Sequence, residues 1–224
     1  MLKVNVDKRI LDICPQMKIG LIQADVVNGD TCDELWNELL KEADNIKNSY
    51  ELLAINKRPA VAATRKVYKA LGKDPARYRV ASEALCRRII RGLGLYRLTT
   101  LIDAVNLVSI KSGYAISGLD FDKIKGDTLT LGVGEAGEVY NGIGRGALNI
   151  ENMPVYRDAI GGVATPTSDE ERTKFTPETT TVQININGYG PEMDMEETVN
   201  LMVDLLKRYA QATNIQTSIV SNFD

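Results

Sequence analysis

The chemistry open to this chain is bounded first by a residue type it lacks. Among 224 residues there is no histidine. That excludes Ser-His-Asp and Cys-His nucleophilic machinery and any imidazole-ligated metal. Proton transfer must fall to carboxylates, tyrosine, lysine, cysteine, water or the substrate. The densest carboxylate group is Asp169-Glu170-Glu171, inside the polar stretch TPTSDEERTKFTP at residues 165–177. Three such acids are either solvated loop residues or a set in which one orients a water or binds an amine. Cys86 stands beside Arg87 and Arg88, and neighbouring cations lower a thiol pKa. No base adjoins it in sequence, and its place after Leu85 suits a small core residue better. Cys14, Cys32 and Cys86 form no CxxC pair, so neither a disulfide framework nor a zinc site is expected. Residues 132–137, GVGEAG, match GxGxxG to the letter, but EVYNGIGRG follows where a phosphate-binding helix would have to start. Hairpin turns explain the glycines, and neither cofactor nor metal is expected.

The second feature is electrostatic. Residues 57–97 hold twelve cations and two anions, a net of +10, which leaves 15 cations and 28 anions, or −13, for the rest of the chain. A near-neutral total thus conceals a basic module in an acidic body. Such a field draws polyanions and steers their approach; the plainer alternative is a pair of solvated helix faces. The candidates for RNA contact are Arg65, Lys66, Lys69, Arg77, Arg79, Arg87, Arg88 and Arg91.

These residues need elements to position them. Residues 17–27, MKIGLIQADVV, form a strand by composition. Thr31 with Glu34 makes the capping box TCDE for an amphipathic helix to about Leu53. Pro59 suits the first turn of a second helix, closed by Gly72. Asp74-Pro75 marks a turn, Ser82 would cap a third helix, and Thr99 or Thr100 would open a fourth. Beyond Gly113 the apolar residues alternate between glycines, and TVQININ at 181–187 is the clearest strand. Asp194 and Glu197 cap a last helix with the stripe Val199, Met202, Leu206 and Tyr209. Helices first, strands after and one closing helix indicate an α+β fold. Four parts of one domain follow: a strand/helix extension (1–56), the basic helical segment (57–97), a glycine-rich β core (98–190) and a C-terminal helix (191–224). No apolar run approaches the ~20 residues that span a bilayer, and MLKVNVDKRI lacks a signal-peptide core, so a cytoplasmic location is the default.

From Ser82 onward the sequence resembles the editing region, the B3/4 domain, of the beta subunit of bacterial phenylalanyl-tRNA synthetase. Ile102-Asp103-Ala104-Val105-Asn106 is similar to the family's V-D-x-x-N. Gly113 follows at the family spacing, and Gly118-Leu119-Asp120-Phe121-Asp122-Lys123-Ile124 resembles its A-F-D-x-D-K run. Gly161-Gly162 corresponds to a family double glycine. The stretch before Ser82 resembles free-standing proteins of this type, and the chain is too short for a synthetase core and shows no ATP-binding signature.

The resemblance implies N-terminal helices on a mostly antiparallel β-sandwich. It also implies hydrolysis of a mischarged aminoacyl-tRNA in trans, without aminoacylation; in the synthetase the target is tyrosine on the phenylalanine tRNA. The implied partners are an aminoacylated tRNA acceptor end and its amino-acid moiety, with no membrane and no DNA. Asn106 matches a residue lining the family's pocket. The family's pocket histidine falls on Ser117, which cannot serve as a base near neutral pH but can hydrogen-bond a substrate or water. Asp169 and Glu170 are candidates for the family's pocket acid, and backbone near Gly161 and Gly162 for amide donors. An aminoacyl ester is already activated, so positioning water and stabilising the oxyanion are enough in principle. The rival readings are a non-catalytic RNA or amino-acid binding module that has lost hydrolysis, and a small-molecule enzyme on the same fold.

Overall fold

The protein is described from a computed structural model covering residues 1–190, 194–221 and 223. Its elements in order are β1 (Lys3–Val6), α1 (Lys8–Ile13), β2 (Lys18–Asp25), α2 (Asp33–Ser49), α3 (Pro59–Ala70), α4 (Ala81–Ile90), α5 (Thr100–Ser112), β3 (Ala115–Asp120), β4 (Thr128–Val133), β5 (Asn141–Gly142), β6 (Gly146–Ala147), β7 (Pro154–Arg157), β8 (Gly162–Ala164), β9 (Thr181–Gly188), α6 (Met195–Tyr209) and β10 (Thr213–Val220).

Two four-stranded sheets result, ordered β10-β2-β9-β3 and β1-β4-β7-β8, with β5-β6 a separate small hairpin. All pairs are antiparallel except β1 with β4. The architecture is α+β. Period-2 alternation gives β2 and β3 of the first sheet an apolar residue for each face, whereas β9 turns Val182, Ile184 and Ile186 to one face and the buried polar Gln183, Asn185 and Asn187 to the other. Val182, Ile184 and Ile186 of β9 join Ile22 of β2 beneath α2, α4, α5 and α6, while Ile19, Leu21 and Leu119 meet Leu129, Leu131 and Tyr156 between the sheets. Three layers follow: helices, the β10-β2-β9-β3 sheet, and the second sheet.

The strand expected at residues 17–27 forms as β2 and lies between β9 and β10, whereas β1 at Lys3–Val6 was not expected. The C-terminal segment carries β10 as well as a helix; TNIQTSIV is mostly exposed and polar, so it lacks the apolar alternation that reveals a strand. Two expected caps are also replaced. Thr31 donates its hydroxyl to Asp103 Oδ2 (2.5 Å), and α2 starts one residue later with Cys32 at its cap and no side-chain bond there. Ser82 lies inside the first turn of α4 and donates to Gly113 O (2.9 Å). In both cases a buried acceptor elsewhere in the fold outcompetes the local helix end. Pro59 does open α3, Gly72 follows its end at φ +88, and Asp194 accepts from Glu197 N (3.1 Å) at the start of α6. Residues 132–137 leave β4 for a turn with no helix behind it. No helix among the described residues is long and apolar enough to cross a membrane.

Candidate active site

A cavity of about 230 Å³ opens between α4, α5, β3 and the segment around residue 170. Its α5 wall is built by Ile102, Val105, Asn106 and Ser109, the i, i+3, i+4, i+7 set that shares one helix face. Leu85 of α4, Ile116 of β3 and Phe175 complete an apolar lining, into which Asn106, Ser109, Asp169 and Lys174 bring the polar groups.

The helix that carries Asn106 is anchored at both ends. Leu101 N donates to Asn28 Oδ1 (3.2 Å), and Leu98 N to Asp103 Oδ2 (3.0 Å). Asp103 is wholly buried, and burial raises its pKa against the opposing bonds from Thr31 and Leu98. At the C-terminus Gly113 adopts φ +82, which an L side chain rarely does. The Arg58 guanidinium closes that end, donating to Ile110 O and Lys111 O at 2.7 Å each. A cation on the last carbonyls of a helix satisfies orphan acceptors and opposes the dipole.

Asp169 reaches the same cavity from the opposite wall. Its Oδ2 accepts from Gly118 N (3.0 Å), on the edge of β3 that pairs with no strand among the described residues. The packing of Phe175 against this strand uses the glycine at 118: a Cβ there would sit 2.5 Å from the Phe175 ring. The segment before Asp169 is fixed by Thr165 Oγ1, which accepts from Thr167 N and Ser168 N, and by Tyr140 Oη, which donates to Ser168 O (2.7 Å). Among the described residues no cation pairs with Asp169, since Lys174 is engaged by Glu171 (2.5 Å). Burial pushes the Asp169 carboxyl up to about 8, the Gly118 amide pulling weakly the other way. A carboxyl of that pKa in an apolar hollow exchanges protons near neutrality.

The remaining candidates lie elsewhere. Ser117 points to the other face of β3, into the layer between the sheets, buried and with no hydrogen-bond partner for its hydroxyl among the described residues. It shares a void of about 10 Å³ with Tyr156, Asn187 and Tyr189. The reason is parity: Asn106's wall takes Ile116 and Gly118, so the residue between them faces away. Gly161 and Gly162 sit at the β7–β8 turn, where Gly161 N donates to Asp158 Oδ1 (3.1 Å); Asp158 is itself gripped by Arg172. Gly162 lies against Tyr140, whose ring would be 2.8 Å from an added Cβ. Glu170 accepts from Arg172 N as the cap of a short 3-10 turn. Thus Asn106 and Asp169 are brought together, whereas Ser117, Gly161, Gly162 and Glu170 are not part of this cavity. Leu85, Ile102, Ile116 and Phe175 were not singled out from sequence for this wall. The helical spacing of 102, 105, 106 and 109 is the signal that could have found half of it.

The basic segment is partly spent on the fold. Arg58 and Lys73 are buried, the latter donating to Asn149 O (2.8 Å) and Glu151 O (2.7 Å). Glu83 is wholly buried and holds Arg65 and Arg87 at 2.8 Å each. Arg88 folds back onto Gly94 O and Leu93 O. Lys66, Lys69, Arg77, Arg79 and Arg91 remain in solvent. Lys66 borders a larger hollow of about 490 Å³ between α1 and α3. No carboxylate stands among its described lining residues, and burial pushes Cys14 there up to about 11. Among the described residues no cluster of three cysteine, aspartate or glutamate side chains could hold a metal ion.

A helical layer on a two-sheet sandwich defines an α+β domain, and its apolar-walled cavity holds one carboxyl, Asp169, without a cation partner among the described residues. The description of the B3/4 domain family matches residues 63–219, and the chain belongs to that family. Among solved structures it is similar to an N-terminal fragment of the phenylalanyl-tRNA synthetase beta-subunit from Pyrococcus horikoshii, at 15% identity and a TM-score of 0.48. The superposition takes in 98% of this chain and 54% of that one, so the chain spans about half the fragment's length. No curated protein sequence matches it.

Proposed function

We propose that this domain hydrolyses the ester of a mischarged aminoacyl-tRNA in trans, holding the amino-acid moiety in the cavity between α5 and Asp169. The observation that carries the reading is Asp169: a carboxyl with no cation partner among the described residues, facing an apolar cavity, with a pKa near 8. A hollow of about 230 Å³ lies below the ~300–1,000 Å³ of common ligand sites, and suits one amino-acid moiety better than a nucleotide.

In this mechanism the ionised Asp169 accepts a proton from a water that attacks the ester carbonyl. The tetrahedral oxyanion forms, collapses, and expels the terminal ribose hydroxyl, which regains a proton from the carboxyl. Asn106 supplies an amide donor from the facing helix, and the apolar walls strengthen each polar contact by excluding bulk water. Lys66, Lys69, Arg77, Arg79 and Arg91 offer a phosphate-binding surface on the same domain.

A deacylation assay over a panel of mischarged tRNAs tests the proposal. Asp169→Asn should lower the rate by about 10²–10⁴-fold, the usual range for a lost general base, with tRNA affinity unchanged. Since the active form is ionised, the rate should rise with pH and level off above about 8. Asn106→Ala should depress hydrolysis more than binding. The second reading, a binding module without hydrolysis, is favoured by Ser117 turning away from the cavity in a chain without histidine. It is the correct one if tRNA binds with a steep salt dependence while no ester turns over.

A further inference from the structure

The connection from α4 to α5 reads RGLGLYRLT at residues 91–99; Leu95 packs against the core, while Leu93, Tyr96 and Leu98 are left in solvent. Leu93 is 59% exposed, Tyr96 66% and Leu98 49%. Three such groups within six residues form the kind of apolar surface that partners cover. The segment is nonetheless held in place. Arg88 donates from Nε to Gly94 O (2.7 Å) and from Nη2 to Leu93 O (3.2 Å). Its guanidinium also lies over the Tyr96 ring, 4.4 Å from the centroid. The cavity is adjacent, because Leu98 lines its wall, as does Leu85, one turn before Arg88 on α4.

We propose that the Tyr96 ring, backed by Arg88, is the stacking platform for the unpaired terminal nucleobase of an RNA whose esterified end enters the cavity. This rests on the tRNA reading given above. An aminoacyl ester hangs from the last nucleotide, so whatever enters the cavity brings a nucleobase to its rim. A planar ring whose face is held by a guanidinium offers the base a preordered surface, and such stacking tolerates any base. Charge is complementary as well. Residues 84–97 contain Arg87, Arg88, Arg91 and Arg97 and no acid, and Arg91 is exposed. Arg97 is shared with exposed Asp33 (2.8 Å).

The test compares the full chain's affinity for an uncharged tRNA with that for the same tRNA trimmed of its unpaired 3′ nucleotides. Wild-type protein should favour the intact RNA by about ten-fold, the scale of one stacked base. Tyr96→Ala should remove that preference while leaving the trimmed RNA bound as before, and Tyr96→Phe and Tyr96→Trp should restore it. Tyr96→Ala binding intact tRNA as wild type does, or losing equally on both RNAs, overturns the platform. If both RNAs bind with a steep salt dependence but without the preference, the platform alone fails. If neither binds at roughly 50 mM salt, where phosphate contacts are strong, the tRNA reading fails and takes the platform with it.

Discussion

Asp169 combines two properties that oppose each other in the folded protein. Burial keeps its proton to about pH 8, whereas the unfolded chain releases it near 4. Between those values the folded state binds more protons, so this residue makes stability fall as pH rises through that window. Asp169→Asn should therefore stabilise the fold at pH 8, by about 1–2 kcal/mol after allowance for its partial exposure to the cavity. The gain should vanish towards pH 4, and urea titrations at the two pH values check it. A gain of equal size at both would show that titration is not its cause. Stability bought against activity is the usual mark of a strained functional group. None of this was legible at the residue itself: DEE in a polar run looks solvated, and only the packing of Phe175 and the edge of β3 encloses one acid of the three.

At the scale of elements, the basic segment is a pair of helices clamped by one acid. Glu83 on α4 holds Arg65 of α3 and Arg87 of its own helix, with side-chain exposures of 0%, 15% and 13%. Removing the charge strands two mostly buried guanidiniums, which costs about 3 kcal/mol. Glu83→Gln should lower the urea midpoint accordingly without changing the order of tRNA preferences; a change below 1 kcal/mol would mean solvent rescues both arginines. The start of α3 at Pro59 and the strand β9 could be read from sequence, because proline geometry and period-2 alternation act locally. The start of α2 could not. Its apparent capping hydroxyl on Thr31 is taken by Asp103, 72 residues away.

Over the whole molecule, seven of the twelve cations in residues 57–97 stay exposed and the others serve the fold. Each phosphate contact contributes nearly one unit to the slope of log affinity against log salt. Replacing both Arg77 and Arg79 by alanine should reduce that slope by about 2, whereas Asn106→Ala should leave it unchanged. Equal slopes for all three proteins would place the RNA elsewhere on the surface. The larger hollow beside Lys66 makes a useful contrast: volume alone does not define a site, since its described lining offers no carboxylate to match Asp169.

The amino-acid order alone established the absence of imidazole chemistry, the +10 segment, the α+β class and the helix carrying Asn106, since composition and short-range periodicity suffice for each. Which acid faces Asn106, which side of β3 Ser117 occupies, and how many arginines stay free were decided only in three dimensions. Those outcomes depend on pairing and burial between segments tens of residues apart, and a local pattern carries no record of what will pack against it.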